Sequence, residues 1–243
     1  MSRAVSRSLS AAAVQRHVKS LRDTSRASVL QRFFKTAPGQ YGAGDRFLGI
    51  RVPVLRQLSR AYQDLSLHEV ASLLRSPWHE ERLLALLILV RQYGRADAAQ
   101  RDAIYRLYLE STTHINNWDL IDCSAEQIVG AHLRDRSRSP LRRLARAKRW
   151  SERRIAIMAT FHYIKRGECT ETLTIARLLL DDEHDLIHKA VGWMLREIGN
   201  RDRAVEEEFL RQHAGRMPRT MLRYAIERFP EELRRRYLAS RFT

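Results

Sequence analysis

The sequence predicts an all-α protein assembled from helical repeats. Apolar residues recur at intervals of three and four positions along nearly the whole chain, which is typical of amphipathic helices. No segment has the sustained polar–apolar alternation expected of a half-buried strand. Several helical segments also share one pattern, in which a basic residue enters an apolar, alanine-containing stretch.

The predicted helices follow one another between breaks marked by proline and glycine. Their apolar faces, in chain order, are Val54-Leu55-Leu58, Val70-Leu73-Leu74, Leu83-Leu86-Leu87-Val90, Ile104-Leu107-Tyr108 and Leu173-Ile175-Leu178-Leu179. Pro53, Pro77 and Pro218 occupy positions where a proline begins a helix, because first-turn N–H groups have no intrahelical acceptor. The longest apolar run, Leu83 to Val90, is far shorter than the roughly 20 residues that span a bilayer. We interpret it as a buried helix segment and expect no association with membranes.

Four segments carry the repeated pattern: WHEERLLALLIL from Trp78, WSERRIAIMATF from Trp150, LIHKAVGWMLRE from Leu186 and PRTMLRYAIERF from Pro218. The last three are about 32 to 36 residues apart, which is in the range of paired-helix repeats. This period predicts a HEAT-like solenoid, in which stacked helix pairs curve around a concave groove. We expect one domain over residues 1–243, with N-terminal helices in 1–35 and the repeat body that carries the groove in 36–240. A compact helical bundle is the alternative.

Residues 1–22 allow two interpretations. They contain no acidic residue and are rich in Arg and Ser, a composition similar to that of a transit peptide. They also have apolar residues at helical spacing, as a first structural helix would: Val5, Leu9, Val14, Val18 and Leu21.

The charge predicts a polyanionic partner. The chain has 44 Lys and Arg against 28 Asp and Glu, a formal net charge of +16, and only five of the cations are lysines. Arginine presents a planar fork of donors that suits phosphate oxygens. Nucleic acid is therefore the expected partner, although an arginine-rich genome would also raise the count.

Metal and nucleotide cofactors have no sequence support. His79-Glu80-Glu81 lacks the second histidine of a zinc motif, and no glycine-rich phosphate loop is present. Cys123 and Cys169 lie far apart, which is typical of free thiols in a reducing compartment. We expect a cytoplasmic protein without metal or cofactor.

The segment NNWDLIDCS contains the first candidate site. It puts Trp118 and Asp122 at i and i+4, on one face of a helix. Asn116 or Asn117 would cap that helix, and Asp119 would lie in its first turn, where the helix dipole favours an acid. Asp122 has no such structural explanation. It either pairs with an arginine beside a core tryptophan, or forms a site with Trp118 that stabilises positive charge.

Tandem arginines enter the helix that follows Trp150. Of Arg153 and Arg154, one can point to solvent while the other points to the groove.

A second tryptophan lies between cations. Trp193 has Lys189 at i−4 and Arg196 at i+3, and Gly192 beside it would permit close approach by another helix. A core tryptophan with surface cations around it is the alternative. Arg219 and Arg223 form a similar basic edge further on.

Five segments, taken in order, resemble the AlkD-type DNA alkylation repair family. They are QYGAGDRFLGIRVPVLRQL, NNWDLIDCSAEQIVG, SERRIAIMATFHYIKRGE, DLIHKAVGWMLREIGNRD and MPRTMLRYAIERFPEELRRRYL. The resemblance runs from Tyr41 to Leu238 and implies a C-shaped array of HEAT-like helix pairs around duplex DNA. It also implies a monofunctional, metal-free glycosylase that excises 3-methyladenine and 7-methylguanine without a base-flipping pocket. We expect a monomer that is nucleoid-associated when bound to DNA.

The resemblance assigns site residues. The catalytic aspartate and its companion tryptophan match Asp122 and Trp118, and the second tryptophan matches Trp193. The site arginine matches Arg154, with Arg153 as the alternative. The candidate DNA-binding residues are Tyr41, Arg51, Arg56, Arg153, Lys165, Lys189, Arg196, Arg219 and Arg223.

The expected chemistry requires a fixed negative charge. A cationic alkylpurine is already a good leaving group, and its departure moves positive charge onto the sugar. Asp122 would stabilise that charge, and the tryptophan faces would attract it. Two other functions remain open: a non-catalytic relative that binds distorted or branched DNA, and a protein-interaction scaffold with an acidic partner.

Overall fold

The computed structural model describes residues 9–239, and every regular element in that range is a helix apart from an isolated bridge between Arg46 and Trp78. The predicted all-α fold is confirmed. The chain divides into two compact units, Met1–Ser124 and Ala125–Thr243, here called unit 1 and unit 2. The single-domain organisation stays a prediction.

Unit 1 contains seven α-helices in its described part. They are α1 (Ala11–Ser20), α2 (Thr24–Phe33), α3 (Val52–Ala61), α4 (Leu67–Leu74), α5 (His79–Arg95), α6 (Ala98–Glu110) and α7 (Trp118–Asp122). Helices α3 and α4 pack on α5, which is the central helix of the unit. The run Leu83–Leu89 of α5 is buried, as predicted for an internal helix segment. Among residues 9–239, no helix combines the length and apolar composition needed to cross a bilayer.

Helix α1 supports the structural interpretation of the N-terminal segment. Val14 and Val18 are fully buried, and Ser10 caps the helix by accepting a hydrogen bond from the Ala13 N–H. Val5, which belongs to the same predicted face, lies outside the described residues.

Unit 2 begins with a π-helical turn (Glu126–Gly130) and continues with eight α-helices among its described residues. These are α8 (Ser139–Ala145), α9 (Trp150–Ala159), α10 (Phe161–Ile164), α11 (Thr170–Leu178), α12 (Asp185–Gly199), α13 (Arg203–His213), α14 (Arg219–Ala225) and α15 (Glu231–Ala239). A 3₁₀ turn, Ile226–Arg228, follows α14.

The repeated sequence pattern corresponds to a packed row of helices in unit 2. Helix α9 packs on α12, and α12 packs on α14, while α8, α11 and α13 pack against members of this row. The three helices of the row start at Trp150, Asp185 and Arg219, so their starts are 35 and 34 residues apart. The predicted period is confirmed within this unit, because each repeat supplies one equivalent helix to the row.

Gly192 permits the closest packing in this row. A Cβ at this position would lie 2.4 Å from the Met221 carbonyl oxygen and 2.5 Å from Tyr224 Cβ. Helix α12 therefore approaches α14 more closely than any larger residue would allow, as the sequence predicts.

The prolines follow the prediction only in part. Pro53 lies in the first turn of α3, as expected. Pro218 is instead the cap residue of α14, and Pro77 precedes Trp78, the cap of α5. The prediction was wrong for these two because a proline is equally compatible with positions just before a helix, where its missing N–H is not required.

Candidate functional site

Helix α7 holds Trp118 and Asp122 at its two ends. The Asn117 side chain accepts a hydrogen bond of 2.8 Å from the Trp118 N–H and caps the helix, as one of the two predicted asparagines should. Both Trp118 and Asp122 are partly buried, whereas Leu120 and Ile121 between them are fully buried. The indole and the carboxylate thus share a face of α7 that is accessible to solvent.

The Trp118 indole is held by contacts on its edge and its face. Its Nε1–H donates to the Tyr41 hydroxyl at 3.3 Å. The ring also stacks on Phe34, with centroids 5.4 Å apart and an interplanar angle of 27°. Tyr41, predicted from the resemblance to lie at the site, is therefore in direct contact with Trp118.

The stack continues into the core of unit 1 and ends at a histidine. Phe34 stacks on Phe47 at 5.0 Å, and Phe47 stacks on His79 at 4.5 Å. All three side chains are buried. The position of Trp118 is thereby connected to the N-terminal end of α5, where His79 is the first residue.

His79 lies between two carboxylates. Its Nε2 is 2.7 Å from Asp119 Oδ2, and its Nδ1 is 3.5 Å from Asp45 Oδ2. Burial by itself would lower the pKa of His79, but Asp119 and Asp45 outweigh burial and raise that pKa to about 9. His79 is therefore protonated at neutral pH, and its charge neutralises Asp119 in the first turn of α7.

Asp45 is the centre of this network. It accepts hydrogen bonds from Arg82 at 2.7 Å, from Asn116 at 2.9 Å and from Asn117 at 3.1 Å. Burial opposes its ionisation, yet the hydrogen bond from His79 and the charge of Arg82 hold the pKa of this carboxyl well below its usual range. The two asparagines before α7 are thus attached to a buried anion, which fixes where α7 begins.

The negative charge of Asp122 acts on two neighbouring side chains, Cys123 and Tyr108. Burial raises the pKa of the Cys123 thiol, the carboxylates of Asp119 and Asp122 raise it further, and the Arg56 guanidinium opposes them. Asp122 also raises the pKa of the buried Tyr108 hydroxyl, after the larger effect of burial. Asp119 is paired with His79, and Asp122 raises the pKa of the Cys123 thiol and of the Tyr108 hydroxyl.

Sequence reasoning missed this network. The sequence signal is His79-Glu80-Glu81, three polar residues directly before an apolar run, which also resemble an incomplete zinc motif. All three are at most 2% exposed, and Glu80 accepts hydrogen bonds from the N–H groups of Leu48 and Gly49 at 2.8 and 2.7 Å. A polar cluster at the start of a core helix indicates such an anchor.

In unit 2, the two tandem arginines have different partners. Arg153 binds Asp182 through two nitrogens, at 2.5 and 3.1 Å, and also donates to the carbonyls of Ala147 and Lys148. Arg154 is 5% exposed and donates to the Leu186 carbonyl in the first turn of α12. Neither arginine points freely into solvent, so the expectation that one of them would do so was wrong. The packed row of helices buries Arg154, and Asp182 retains Arg153.

Trp193 is partly buried on α12. Its Nε1–H donates to Glu197 Oε1 at 3.2 Å, and its ring lies 6.1 Å from the Phe161 ring. The flanking cations are both paired: Lys189 Nζ is 2.7 Å from Asp185, and Arg196 pairs with Glu227. The role of Trp193 stays a prediction.

The remaining candidate cations fall into two groups. Lys165 is paired, with its Nζ 2.7 Å from Glu126. The other four are exposed, and their side chains have no hydrogen-bond or ion-pair partner among residues 9–239: Arg51, Arg56, Arg219 and Arg223. Within the same range, no group of three or more His, Cys, Asp or Glu side chains is arranged to hold a metal ion.

Residues 14–229 match the family of DNA alkylation repair enzymes. The fold is similar to that of a predicted DNA alkylation repair enzyme from Enterococcus faecalis, with a TM-score of 0.66 and 14% sequence identity over 86% of this chain and 97% of that one. At this identity the likeness shows the helical-repeat fold alone. No curated protein matches the chain.

Proposed function

Because this chain belongs to the family of DNA alkylation repair enzymes, we propose that it is a DNA glycosylase for cationic alkylated purines in duplex DNA. The reaction is hydrolysis of the N-glycosidic bond of 3-methyladenine or 7-methylguanine, which leaves an abasic site. The observation that carries the proposal is the pair at the ends of α7. A fixed indole and a carboxylate share one accessible face of a single helix.

Asp122 stabilises positive charge on the sugar. The alkylated purine is a cation and leaves as a neutral base, so the enzyme need not protonate it. As the bond to C1′ breaks, the deoxyribose becomes oxocarbenium-like, and a nearby carboxylate lowers the energy of that state. Asp122 also accepts a proton from the attacking water. Asp119 is paired with His79, and we assign the catalytic role to Asp122 because it shares the accessible face of α7 with Trp118.

Trp118 attracts the same positive charge with its ring face. A cation–π contact contributes roughly 0.5 to 2 kcal/mol, with the upper value for desolvated sites. Tyr41 and Phe34 restrict the indole, so little conformational entropy is lost when the nucleotide binds. Trp193 is the proposed second tryptophan. Its indole edge is already oriented by Glu197.

Arg154 is the proposed site arginine. Arg153 is bound to Asp182, whose side chain is 5% exposed, and removing an arginine from such a pair would leave a buried charge without its partner. Arg153 therefore positions the start of α9, and its predicted contact with DNA is the weaker part of the assignment.

The other cations bind phosphates in two ways. Exposed arginines without partners can contact phosphate oxygens directly: Arg51, Arg56, Arg219 and Arg223. Paired cations must first exchange a carboxylate for a phosphate: Lys165, Lys189 and Arg196. That exchange costs little, because a surface ion pair contributes only about 0 to 1 kcal/mol. We propose a monomer that binds duplex DNA in the cytoplasm, at the nucleoid.

Substrate choice follows from leaving-group chemistry. An unmodified purine would have to depart as an anion or be protonated first, and the site has no proposed acid for that step. Undamaged DNA is therefore not cleaved, even though the phosphate contacts bind it.

The test is chromatographic detection of bases released from methylated duplex DNA. We expect 7-methylguanine or 3-methyladenine from the wild-type protein and a roughly 100-fold or larger loss of rate in Asp122→Asn, the usual effect of removing one electrostatic stabiliser. Duplex binding should be retained. Asp64→Asn is the matched control, since this side chain is 73% exposed and the charge change is identical.

Two outcomes would contradict the proposal in different ways. Equal rates for Asp122→Asn and wild type would exclude the proposed mechanism. Tight, salt-dependent binding with no released base would favour the non-catalytic DNA-binding alternative.

A further inference from the structure

The C-terminal end of α2 exposes an aromatic side chain next to Trp118. Phe33 is 61% exposed, the most exposed of the large apolar side chains in the described range. Its ring is 6.1 Å from the Trp118 ring in an edge-on arrangement, and 5.0 Å from Phe34 at 90°. Phe34 is buried in the stack beneath, so Phe33 continues that stack to the surface.

Two cations flank Phe33 in the sequence. The side chains of Arg32 and Lys35 are exposed and have no hydrogen-bond or ion-pair partner in the described part of the chain. Most of the candidate DNA-binding cations in unit 2 have an ion-pair or hydrogen-bond partner, whereas Arg32 and Lys35 both lack one in the described residues. The two cations can bind phosphates, and the aromatic ring between them can pack on a base or a sugar.

Lys35 is held in an unfavourable backbone conformation. Its φ of 51° lies in the left-handed region, and it is the only non-glycine residue in the described range with a positive φ. This is the position after a helix where glycine is usual, because a Cβ is unfavourable in the left-handed region. Strained backbone positions cluster at binding sites, which makes Lys35 a candidate contact residue.

The geometry of this helix end is fixed by the loop that carries Tyr41. Gly42 N–H donates to the Lys35 carbonyl at 3.2 Å, and a Cβ on Gly42 would lie 2.4 Å from the Phe34 carbonyl oxygen. The loop therefore packs directly on the end of α2. Tyr41 in turn accepts the hydrogen bond from Trp118, so one local structure fixes both Phe33 and the proposed catalytic indole.

We propose that the end of α2 is a DNA-contacting element of the same site. Phe33 packs on the sugar and base edge of the nucleotide next to the lesion, while Arg32 and Lys35 bind the flanking phosphates. This inference rests on the proposed function, since it takes alkylated duplex DNA as the occupant. Phe33 is a positioning residue: it keeps the lesion against Trp118 and does not touch the reacting atoms.

The test measures duplex binding over a range of salt concentrations. Phe33→Ala should weaken binding about 10-fold at every salt concentration, the usual scale for an aromatic–nucleotide contact, without changing the salt slope. Arg32→Gln and Lys35→Gln should each reduce the magnitude of the slope of log K against log salt by about 0.9, since each removes one phosphate contact.

Three control variants keep these effects specific. Leu178→Ala truncates an exposed apolar residue in unit 2, and Arg75→Gln removes an exposed cation that donates to the Ser72 hydroxyl at 3.5 Å. Both should bind as wild type does. Lys35→Gly removes the cation and relieves the backbone strain, so it should lower the salt slope while the melting temperature rises or stays constant.

The outcomes separate this inference from the proposed reaction. Unchanged binding by Phe33→Ala, or unchanged slopes for both cation variants, would overturn the α2 contact even if the wild-type protein releases alkylated bases. If the wild-type protein releases no base but Phe33→Ala binds more weakly, the contact stands and the glycosylase proposal fails. A Lys35→Gly variant with an unchanged salt slope and a higher melting temperature would also count against the α2 contact.

Discussion

The two units hold their charged side chains in different ways. In unit 1, Asp45 and His79 are at most 5% exposed and connect the start of α5 to the start of α7. In unit 2, two ion pairs of candidate DNA-binding cations lie nearer the surface: Lys165–Glu126 and Lys189–Asp185, whose cations are 42% and 38% exposed.

This difference indicates that the charged groups of the two units have different roles. Buried charges in low-dielectric surroundings fix geometry, because breaking one pair leaves a charge that water cannot reach. Surface pairs contribute little to stability and can be replaced by phosphate contacts. The buried network of unit 1 therefore fixes the position of the proposed catalytic pair, and the surface pairs of unit 2 contain cations that we propose exchange with DNA.

The largest expected effect comes from removing the central charge of unit 1. Asp45→Asn leaves His79 and Arg82 as buried cations without their shared carboxylate, and we expect a loss of about 3 to 5 kcal/mol in the free energy of unfolding. Asp182→Asn is the counterpart in unit 2. We expect a smaller loss there, because Arg153 is 19% exposed and keeps two carbonyl partners. Urea unfolding measures both, and equal losses would contradict the proposed difference.

The pH dependence of stability should also differ between the units. The pKa of His79 is raised from 6.5 to about 9, so its contribution is complete below pH 6.5 and is lost as the pH rises through 9. A shift of this size corresponds to on the order of 3 kcal/mol. In unit 2, burial raises the pKa of Glu206 from 4.5 to about 8, so this contribution is lost earlier, between pH 4.5 and 8.

Unfolding free energies measured between pH 5 and pH 10 test this order. Glu206→Gln should remove the decline between pH 5 and 6.5 and preserve the decline above pH 8. A Glu206→Gln variant with an unchanged acid-side profile would contradict the assignment to that carboxyl.

Glycine substitutions compare the packing of the two units. Gly192→Ala should destabilise the protein by about 1 to 3 kcal/mol, because the new Cβ meets the backbone of α14 at 2.4 Å. Gly94→Ala in α5 is the matched control, since a Cβ there meets no atom within 4 Å. It should stabilise the protein by about 0.5 to 1 kcal/mol through helix propensity. Thermal unfolding shows whether the melting temperature of each variant falls or rises.

Local patterns account for what the sequence predicted correctly. Helical periodicity, the repeat spacing of the α9–α12–α14 row and the close approach at Gly192 all follow from residues near one another in the chain. The common face of Trp118 and Asp122 follows from a spacing of four. Their catalytic role stays a prediction.

Contacts between distant residues account for what the sequence did not predict. Asp45 reaches His79, Arg82 and Asn116 across 34 to 71 positions, and no periodicity reports such a meeting. The exposure of Phe33 could not be predicted either, because adjacent helix positions point about 100° apart and the sequence does not say which of Phe33 and Phe34 faces the core. Likewise, the sequence gives the number of cations but not which of them are paired.

The smallest expected effects separate paired from unpaired cations within unit 2. Arg219→Gln should leave the free energy of unfolding unchanged within about 0.5 kcal/mol, because its exposed side chain has no described partner. It should reduce the magnitude of the salt slope for duplex binding by about 0.9. Lys165→Gln should lose up to about 1 kcal/mol of stability, since it leaves Glu126, only 12% exposed, without its cation.

The change in salt slope for Lys165→Gln should be smaller than for Arg219→Gln. Lys165 has to leave Glu126 before it can bind a phosphate. Its contact with DNA therefore replaces an existing ion pair, and it releases fewer counterions than the contact of an arginine without a partner. Chemical denaturation and titrations at four salt concentrations measure the two quantities on the same variants. If both variants lower the slope equally and neither affects stability, the surface ion pairs of unit 2 have no influence on DNA binding, and the distinction between exchangeable and free cations fails.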